Sequence, residues 1–377
     1  MKVLHVVPSL LRRGGGPSES VPMTAMAQAK AGIEVAIAFL DGSEEVSLKT
    51  LEAERAGVRL VRIPGASNLI NPIGFSLSMV RRFGNVAKDF DVIHTHGQWM
   101  FPVWWAAYVS RKLGKRLVMM PRGSFAPVRL REHGWKKRFV GWIDRHYANV
   151  ADGVWATAQS EAEEIKAFAK HARIEVFPIG LDVSSYAVAE TRPKGEKILL
   201  YMSRISPIKG LDMLAEAWAR CGSGMGWKLV VAGPDDRGYA GEIKNVFARK
   251  CKSGSYEFRG PAYGEEKIAL LSQADAFILP TRNENWGIAI AEAMASALPV
   301  VCTKGAPWRC LETERAGWWT DASEEGIEHA LKKLFATSHE ERLAMGVRAR
   351  RWAERNLDWS AIGQTMKQSY ERICEGV

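Results

Sequence analysis

Lys2-Val3-Leu4-His5-Val6-Val7 opens the chain as a short apolar, β-branched run, closes in Pro8-Ser9, and leads into Gly14-Gly15-Gly16-Pro17. A run of that length and composition bounded by breakers reads as a buried strand, and Pro17 suits the first turn of a helix. Ile33-Glu34-Val35-Ala36-Ile37-Ala38-Phe39 is a second strand. Strand, glycine-rich loop, helix and strand in that order begin a parallel sheet. Further strands are expected at residues 58–63, 92–94, 117–120 and 154–156, which makes the first half doubly wound.

The same grammar restarts later. Ile198-Leu199-Leu200-Tyr201-Met202 reads as a first strand, Gly210 to Ala219 as a helix, and Lys228-Leu229-Val230-Val231-Ala232 as a strand ending in Gly233-Pro234. Residues 256–260, 276–280 and 299–302 continue that sheet, and helical periodicity runs from about Glu324 to the end. The fold class is therefore α/β: two tandem Rossmann-like doubly wound parallel-sheet domains facing a cleft, with C-terminal helices. The expected boundaries are 1–180, a polar and breaker-rich linker at 181–196, a second domain at 197–358, and a helix at 359–377 that packs back on the first domain. The carboxyl ends of such sheets are where ligands bind.

The 377 residues, 47% hydrophobic and 25% charged, fit an ordinary globular protein and exclude a disordered or fibrous one. No apolar run is long enough to span a bilayer and the opening residues lack the pattern of a signal peptide, so the expected location is the cytosol, with peripheral contact at a membrane. Cys221, Cys251, Cys302, Cys310 and Cys374 match no zinc or redox spacing and read as reduced. The net charge of +10 is uneven: residues 1–180 carry +9, and residues 111–147 alone carry 11 basic and 2 acidic residues.

The most specific chemical signal is Pro280-Thr281-Arg282-Asn283-Glu284-Asn285-Trp286-Gly287-Ile288-Ala289-Ile290-Ala291-Glu292. A strand ends, a loop carries Glu284, and a helix beginning near Gly287 carries Glu292. Two carboxylates so placed reach different parts of one ligand, and free N–H groups at the helix start suit a phosphate. Equally, Glu284 read alone is a loop charge and Glu292 a surface helix residue. Arg204 offers a planar fork for phosphate oxygens, and Lys209, just before Gly210, a point charge.

This stretch resembles the E-x7-E signature of the retaining nucleotide-sugar glycosyltransferases of family 4, which have the two-domain GT-B architecture. Met202-Ser203-Arg204-Ile205-Ser206-Pro207-Ile208-Lys209-Gly210 is similar to the family's Arg…Lys-Gly segment, Pro178-Ile179-Gly180-Leu181-Asp182 to its interdomain turn, and Gly233-Pro234 to its Gly-Pro turn. The resemblance covers essentially the whole chain. It implies that Arg204, Lys209 and Glu284 are catalytic, and that Gly15, Gly16, Arg204, Lys209, Glu284, Asn285, Trp286, Gly287 and Glu292 bind the donor. Glu292 would meet the ribose, Glu284 the donor sugar, and Gly14 to Gly16 the diphosphate. No metal or other cofactor is implied, because two cations and a helix end stabilise the departing diphosphate.

Many family members carry a histidine where this chain reads Met120-Pro121-Arg122-Gly123-Ser124. Arg122 or Ser124 then takes over sugar or phosphate contacts, and His96 or Gly97 meets the acceptor, a structural histidine being an equal reading. In a retaining transfer the leaving diphosphate itself can take the acceptor's proton, so no general base is assigned. Trp135, Phe139, Trp142 and Ile143 recur at helical spacing beside Lys136, Lys137 and Arg138, either as a membrane-binding face or as a core stripe. Trp99, Trp104 and Trp105 stack on acceptor sugars or fill the core.

The expected activity is retaining transfer of a hexose-type sugar from a nucleoside-diphosphate sugar to an anionic glycan or lipid-linked acceptor, in bacterial surface polysaccharide or lipopolysaccharide assembly. A nucleotide-sugar epimerase of the same fold and a non-enzymatic polyanion-binding protein are the alternatives. No nucleic-acid module is recognisable.

Overall fold

The computed structural model describes all residues except 12–15, 43–44, 66–70, 132–133, 187–194, 223–224 and 377, and the side chains of 128 and 131–139 also lie outside the description. The chain divides into two compact units, Met1–Gly180 with Trp359–Val377, and Leu181–Asp358.

The first unit alternates strands and helices: β1 (Lys2–Val6), α1 (Gly16–Lys30), β2 (Glu34–Asp41), α2 (Leu48–Arg55), β3 (Arg59–Pro64), α3 (Leu77–Ala87), β4 (Val92–His96), α4 (Phe101–Lys112), β5 (Arg116–Met120), α5 (Pro127–Arg131), α6 (Gly134–Val150), β6 (Gly153–Ala156), α7 (Gln159–Phe168) and β7 (Ile174–Val176). Its seven strands are all parallel in the order β3-β2-β1-β4-β5-β6-β7. The second unit holds β8 (Lys197–Met202), α8 (Leu211–Cys221), β9 (Trp227–Ala232), α9 (Tyr239–Lys250), β10 (Tyr256–Gly260), α10 (Gly264–Gln273), β11 (Ala276–Leu279), α11 (Ile288–Ala295), β12 (Val300–Thr303), α12 (Cys310–Thr313), β13 (Gly317–Thr320), α13 (Glu324–Ala336) and α14 (His339–Asn356). Its six strands, parallel again, run β10-β9-β8-β11-β12-β13. The last helix, α15 (Trp359–Glu375), returns to the first unit.

Alternation along the strands builds the first core on both faces of its sheet. Val3, Val35, Ile37 and Val92 face one way, under Val21 and Ala25 of α1 and Ile362, Met366, Tyr370 and Ile373 of α15. Leu4, Val6, Ala36, Ala38 and Ile93 face the other, under Met79 and Phe83 of α3 and Ala106 and Val109 of α4. Because each face is buried, the strands read as near-continuous apolar runs. Helix starts are fixed by serine caps where the loops supply them: the hydroxyls of Ser47, Ser76, Ser323 and Ser338 accept from backbone N–H groups three residues on.

The two short strands β7 and β13 lie beyond the expected set. Both are edge strands, and β13 is written Gly317-Trp318-Trp319-Thr320, too short to show a period. In each sheet the strand order reverses beside the first strand, between β1 and β4 and between β8 and β11. Neighbouring loops diverge there and leave room for a ligand at the carboxyl ends.

All five cysteines are free thiols. Of the basic stretch 111–147, the side chains of Arg131, Lys136, Lys137 and Arg138 lie outside the description. Arg111 and Arg116 turn to Asp152, Arg122 is half-buried and turned toward His96 and Ser20, and Arg145 lies over Phe168.

Candidate active site

At the switch point of the second sheet, the chain leaves β8, makes a single 3-10 turn over Pro207–Lys209, and enters α8 through Gly210. Gly210 has φ of 72°, and a Cβ there would overlap the Pro280 carbonyl, so only glycine lets the β8 loop close on the β11 loop. The two loops are stitched together at Ile208, whose carbonyl accepts from Arg282 N (2.8 Å) and from the Thr281 hydroxyl (3.1 Å). That closure brings buried Lys209 onto Glu284 as an ion pair.

The Glu284 N–H in turn donates to Gly305 O at 2.7 Å. Gly287, with φ of 88°, starts α11, and Glu292 in its second turn is buried rather than exposed. Its Oε1 accepts from Tyr186 OH at 3.0 Å and from Lys267 Nζ at 2.5 Å. Burial and the Glu292 charge raise the Tyr186 phenol well above its ordinary range, which keeps it a donor. Each carboxylate of the E-x7-E pair thus faces one lysine, 75 and 25 residues away respectively.

Arg204 is not joined to this pair. Its side chain is half exposed and its carboxylate neighbour is Asp236 at 3.9 Å, while its carbonyl accepts from Tyr201 OH at 3.0 Å. Trp286 is buried against Trp308, ring centres 4.8 Å apart, and its carbonyl accepts from the Trp308 indole.

The switch point of the first sheet is charged differently. His5 on β1 and His94 on β4 are register partners, and His96 lies two residues on along the same face. All three are fully buried. His5 Nε2 meets Gln28 Oε1 (2.7 Å), His5 Nδ1 meets His96 Nε2 (2.7 Å), and Arg122 Nε donates to His96 Nδ1 (3.2 Å). Because Gln28 Oε1 only accepts and Arg122 only donates, one assignment of protons fits: His5 carries its proton on Nε2 and His96 on Nε2, both neutral. Tyr370 of α15 joins the chain, donating to His94 Nδ1 (2.5 Å) and accepting from the Gln28 amide (3.2 Å).

Burial first, then the Gln28 contact and the Arg122 charge, set His5, whose pKa is pushed down to about 4. Burial and the neighbouring groups hold His94 and His96 well below the usual range. Arg122 itself, at φ of 55°, is pushed down to about 10 by burial. Its Nη1 donates to Ser20 at 2.7 Å and its Nη2 has no partner among the described residues. The turn that presents it is pinned by Glu161 of α7, which accepts from Gly123 N (2.5 Å) and from both Thr157 N and its hydroxyl (2.7 Å each).

Two family models cover most of the chain: a glycosyl transferase 4-like domain over residues 15–180 and the glycosyl transferases group 1 over residues 183–352. The chain is a group 1 glycosyltransferase. A similar relative is the GDP-mannose:cellobiosyl-diphosphopolyprenol alpha-mannosyltransferase of Xanthomonas campestris, 26% identical over 83% of this chain and 81% of that one. Among solved structures, sucrose-phosphate synthase of Thermosynechococcus elongatus superposes with a TM-score of 0.80 at 19% identity over all of both chains. Anabaena HepE, in complex with UDP and glucose, superposes at 0.76 and 16% over 98% of this chain and 99% of that one. The fold is the GT-B fold of these glycosyltransferases.

The expected site residues of this glycosyltransferase fall into three groups. Lys209, Glu284, Asn285, Trp286, Gly287 and Glu292 share the β8–β11 switch point, with Arg204 at its edge. Gly97, Arg122 and Ser124 share the β4–β5 edge of the first sheet, where Gly97 N donates to Met120 O at 3.0 Å and the Ser124 hydroxyl to Pro121 O at 2.6 Å. Gly15 lies outside the described residues, and Gly16 opens α1. The ring of His96, expected either at the acceptor or as a structural histidine, is fully buried with both nitrogens engaged. Trp99 and Trp104 are half-buried, donating to Ser124 O (3.1 Å) and Asp144 (3.0 Å). Lys136, Lys137, Arg138, Trp135 and Phe139 have side chains outside the description, while Trp142 is exposed.

The ring nitrogens of His5, His94 and His96 lie within 4.8 Å of one another, a spacing that invites a metal. They do not fit one. A cation there would break the His5–His96 bond and sit beside the Arg122 guanidinium. Asp89-Phe90-Asp91 has the spacing of an Asp-x-Asp metal motif, but it precedes β4, at the opposite end of the sheet from the site. There Asp91 accepts from Lys2 N at 2.8 Å and Phe90 is core.

Proposed function

We propose that this glycosyltransferase moves a hexose-type sugar, with retention and without a metal, from a nucleoside-diphosphate sugar to a glycan or lipid-linked acceptor in bacterial surface polysaccharide or lipopolysaccharide assembly. The carrying observation is the ion pair of buried Lys209 with half-buried Glu284 at the mouth of α11. An empty site cannot leave a buried ammonium unpaired, and Glu284 supplies the counter-charge. An arriving diphosphate competes for Lys209, and Glu284 is released to the hydroxyls of the donor sugar. Arg204, exposed at the edge, closes on the phosphates, and the N–H groups of Asn285, Trp286 and Gly287 at the start of α11 add fixed positive dipoles. Glu292, held by Lys267 and Tyr186, accepts from the ribose.

In the first unit, Gly97, Arg122 and Ser124 are assigned to the acceptor. A guanidinium whose buried Nη2 has no partner among the described residues favours an anionic group, such as the phosphate of a lipid-linked glycan. The names of the relatives support this reading: one acts from GDP-mannose on a diphosphopolyprenol-linked sugar, and one was solved with UDP and glucose. No helix among the described residues is long and apolar enough to cross a membrane, and we place the enzyme on the cytoplasmic face as a peripheral protein.

The test is a thermal-shift screen against UDP-, GDP- and ADP-sugars, followed by nucleotide release with the sugar that binds. Transfer requires that nucleoside diphosphate appear only when an acceptor is added and that chelator leave the rate unchanged. An isomerised sugar nucleotide without acceptor would make the protein an epimerase instead. Retention is read from the anomeric coupling of donor and product.

A further inference from the structure

Large apolar side chains that remain exposed are scattered over most of the molecule, but four gather in one place: Ile73 (44% exposed), Phe75 (51%), Leu77 (51%) and Tyr108 (44%). Ile73 and Phe75 stand on the loop before α3, Leu77 begins α3, and Tyr108 is on α4. The loop is built to present them. Asn71 clamps Phe75 at both its N–H and its carbonyl (2.8 Å each), and Ile73 O accepts from Phe101 N at 2.8 Å. The rings form a continuous ladder, Phe75–Phe101 at 4.8 Å, Phe101–Trp105 at 5.9 Å and Trp105–Tyr108 at 5.3 Å, with Lys112 Nζ 6.0 Å from the Tyr108 ring centre.

The charge on this surface is graded. The helices lie side by side and run the same way, their N-termini joined through Phe75 and Phe101 and their C-termini through Lys115 Nζ, which donates to Lys88 O at 2.8 Å. Ile73, Phe75 and Leu77 lie at the N-terminal end, Arg81 and Arg82 in the middle of α3, and Lys88, Lys112 and Lys115 at the C-terminal end, with Tyr108 beside Lys112. Among the described residues none of these five cations has a carboxylate within 4 Å. Asp89 and Asp91 follow α3, the latter engaged by Lys2 N.

We infer that the α3–α4 surface docks on an anionic phospholipid bilayer, with Ile73, Phe75 and Leu77 entering the headgroup boundary and the five cations meeting lipid phosphates. This surface differs from the basic helix that the sequence first suggests. A soluble glycan would reward the flat faces of rings, whereas Phe101 and Trp105 are half-buried and the most exposed groups include aliphatic ones. Uncompensated Lys and Arg beside a rigid apolar tip are what an anionic interface attracts. Each helix begins at the carboxyl edge of the sheet, so docking there sets the edge that carries Gly97 and Arg122 toward the membrane. The inference rests on the lipid-linked acceptor of the proposed function.

The experiment is flotation of the full chain with phosphatidylcholine vesicles and with vesicles that also contain phosphatidylglycerol, in parallel with the thermal shift by sugar nucleotide. The wild type is expected to float with anionic vesicles and weakly with neutral ones. Phe75→Ser with Leu77→Ser should lower partitioning at least about tenfold, and Arg81→Glu with Lys112→Glu by at least about fivefold per charge, the latter loss seen only with anionic vesicles. Both variants replace exposed groups and should keep the wild-type melting temperature and nucleotide shift. Equal flotation of wild type and Phe75/Leu77 variant, loss only in a Lys136→Glu, Lys137→Glu, Arg138→Glu variant, or loss of binding to a soluble polysaccharide with flotation unchanged would each overturn the inference. A wild type that floats yet gives no nucleotide shift would instead overturn the functional reading.

Discussion

At the switch point of the second sheet two carboxylates, Glu292 buried and Glu284 half-buried, each meet a lysine ammonium; at that of the first, a half-buried arginine meets an imidazole and a hydroxyl. The topology is the same and the electrostatics are opposite. In the second unit charge is cancelled locally, so the empty site is stable and a polyanionic ligand has cations to capture by exchange. In the first, Arg122 has no carboxylate at ion-pair distance among the described residues, and its neutral neighbours, all lowered in basicity by burial, cannot become cations to repel an anion. One unit stores its positive charge in a pair, and the other keeps it uncancelled.

The sharpest way to break that contrast is to remove the paired charges. Lys209→Ala or Glu284→Ala should lower kcat by about a thousandfold, the scale of losing a preorganised group on a leaving anion. Each single variant also leaves a buried or half-buried charge alone, at a cost of about 3 kcal/mol in urea unfolding. Lys209→Met with Glu284→Gln removes both charges and should regain most of that stability with no return of activity. Recovery of both together would reduce the pair to a structural tie.

Arg122 should respond the other way. Arg122→Met removes a half-buried cation unpaired among the described residues, so the melting temperature should hold or rise, while kcat/KM for the acceptor falls about 10–100-fold, the range of a lost charge-assisted hydrogen bond. A variant that melts earlier and turns over normally would place Arg122 in the fold and not in the site.

The same contrast explains what could be read in the sequence. The second site lies within a few local strings: Arg204, Lys209, Glu284 and Glu292 follow two strands whose apolar runs are plain, and the eight-residue spacing of the carboxylates survives any error in boundaries. Its partners Lys267 and Tyr186 come from other elements and had no signal. The first site is mostly nonlocal. His94 and His96 at period two in a strand paired with His5 do place three imidazoles on one face. Gln28 and Tyr370, however, lie on helices whose docking only the packed core decides, and Glu161 reaches the Arg122 turn from α7. Charge summed over residues 111–147 carries no record of which cations are engaged: Arg111 and Arg116 meet Asp152, and Arg122 turns toward His96 and Ser20.

A third expectation is an acid response of the first unit, in which the histidines lose stability while Asp144 and Glu164, whose pKa values burial raises to about 7, gain it. His5, His94 and His96 are held below the unfolded value near 6.5, so the unfolded chain binds more protons as pH falls beneath it. Their contribution is therefore complete above pH 6.5 and is lost on acidification toward about 4, where His5 titrates in the folded state. Between pH 7 and pH 5 His5 alone should remove about 2 kcal/mol. Hydrogen exchange at the two pH values, corrected for intrinsic rates and made in an Asp144→Asn, Glu164→Gln background that removes the opposing carboxyls, should show this loss in β1 and β4 and little change in β8 and β11. A uniform loss would break the comparison.

The smallest effect belongs to Tyr370, whose hydroxyl joins α15 to the histidines. Tyr370→Phe keeps the ring in its core contacts with Trp155 and removes only the oxygen, leaving His94 Nδ1 and one Gln28 N–H without that partner. A buried unsatisfied pair of this kind costs about 1–2 kcal/mol. The loss also reaches the site, because Gln28 sets the proton on His5, His5 sets that on His96, and His96 accepts from Arg122. Tyr370→Phe should therefore lower acceptor kcat/KM by about two- to fivefold beyond its effect on stability, as a modest change in one charge-assisted contact would. Ile373→Val, on the same helix and in the same core, costs a similar about 1 kcal/mol by cavity formation and touches no polar group. If the two variants lose activity equally, α15 supports the first unit only by packing. If Tyr370→Phe alone does, the last helix of the chain holds the guanidinium in place through four hydrogen bonds.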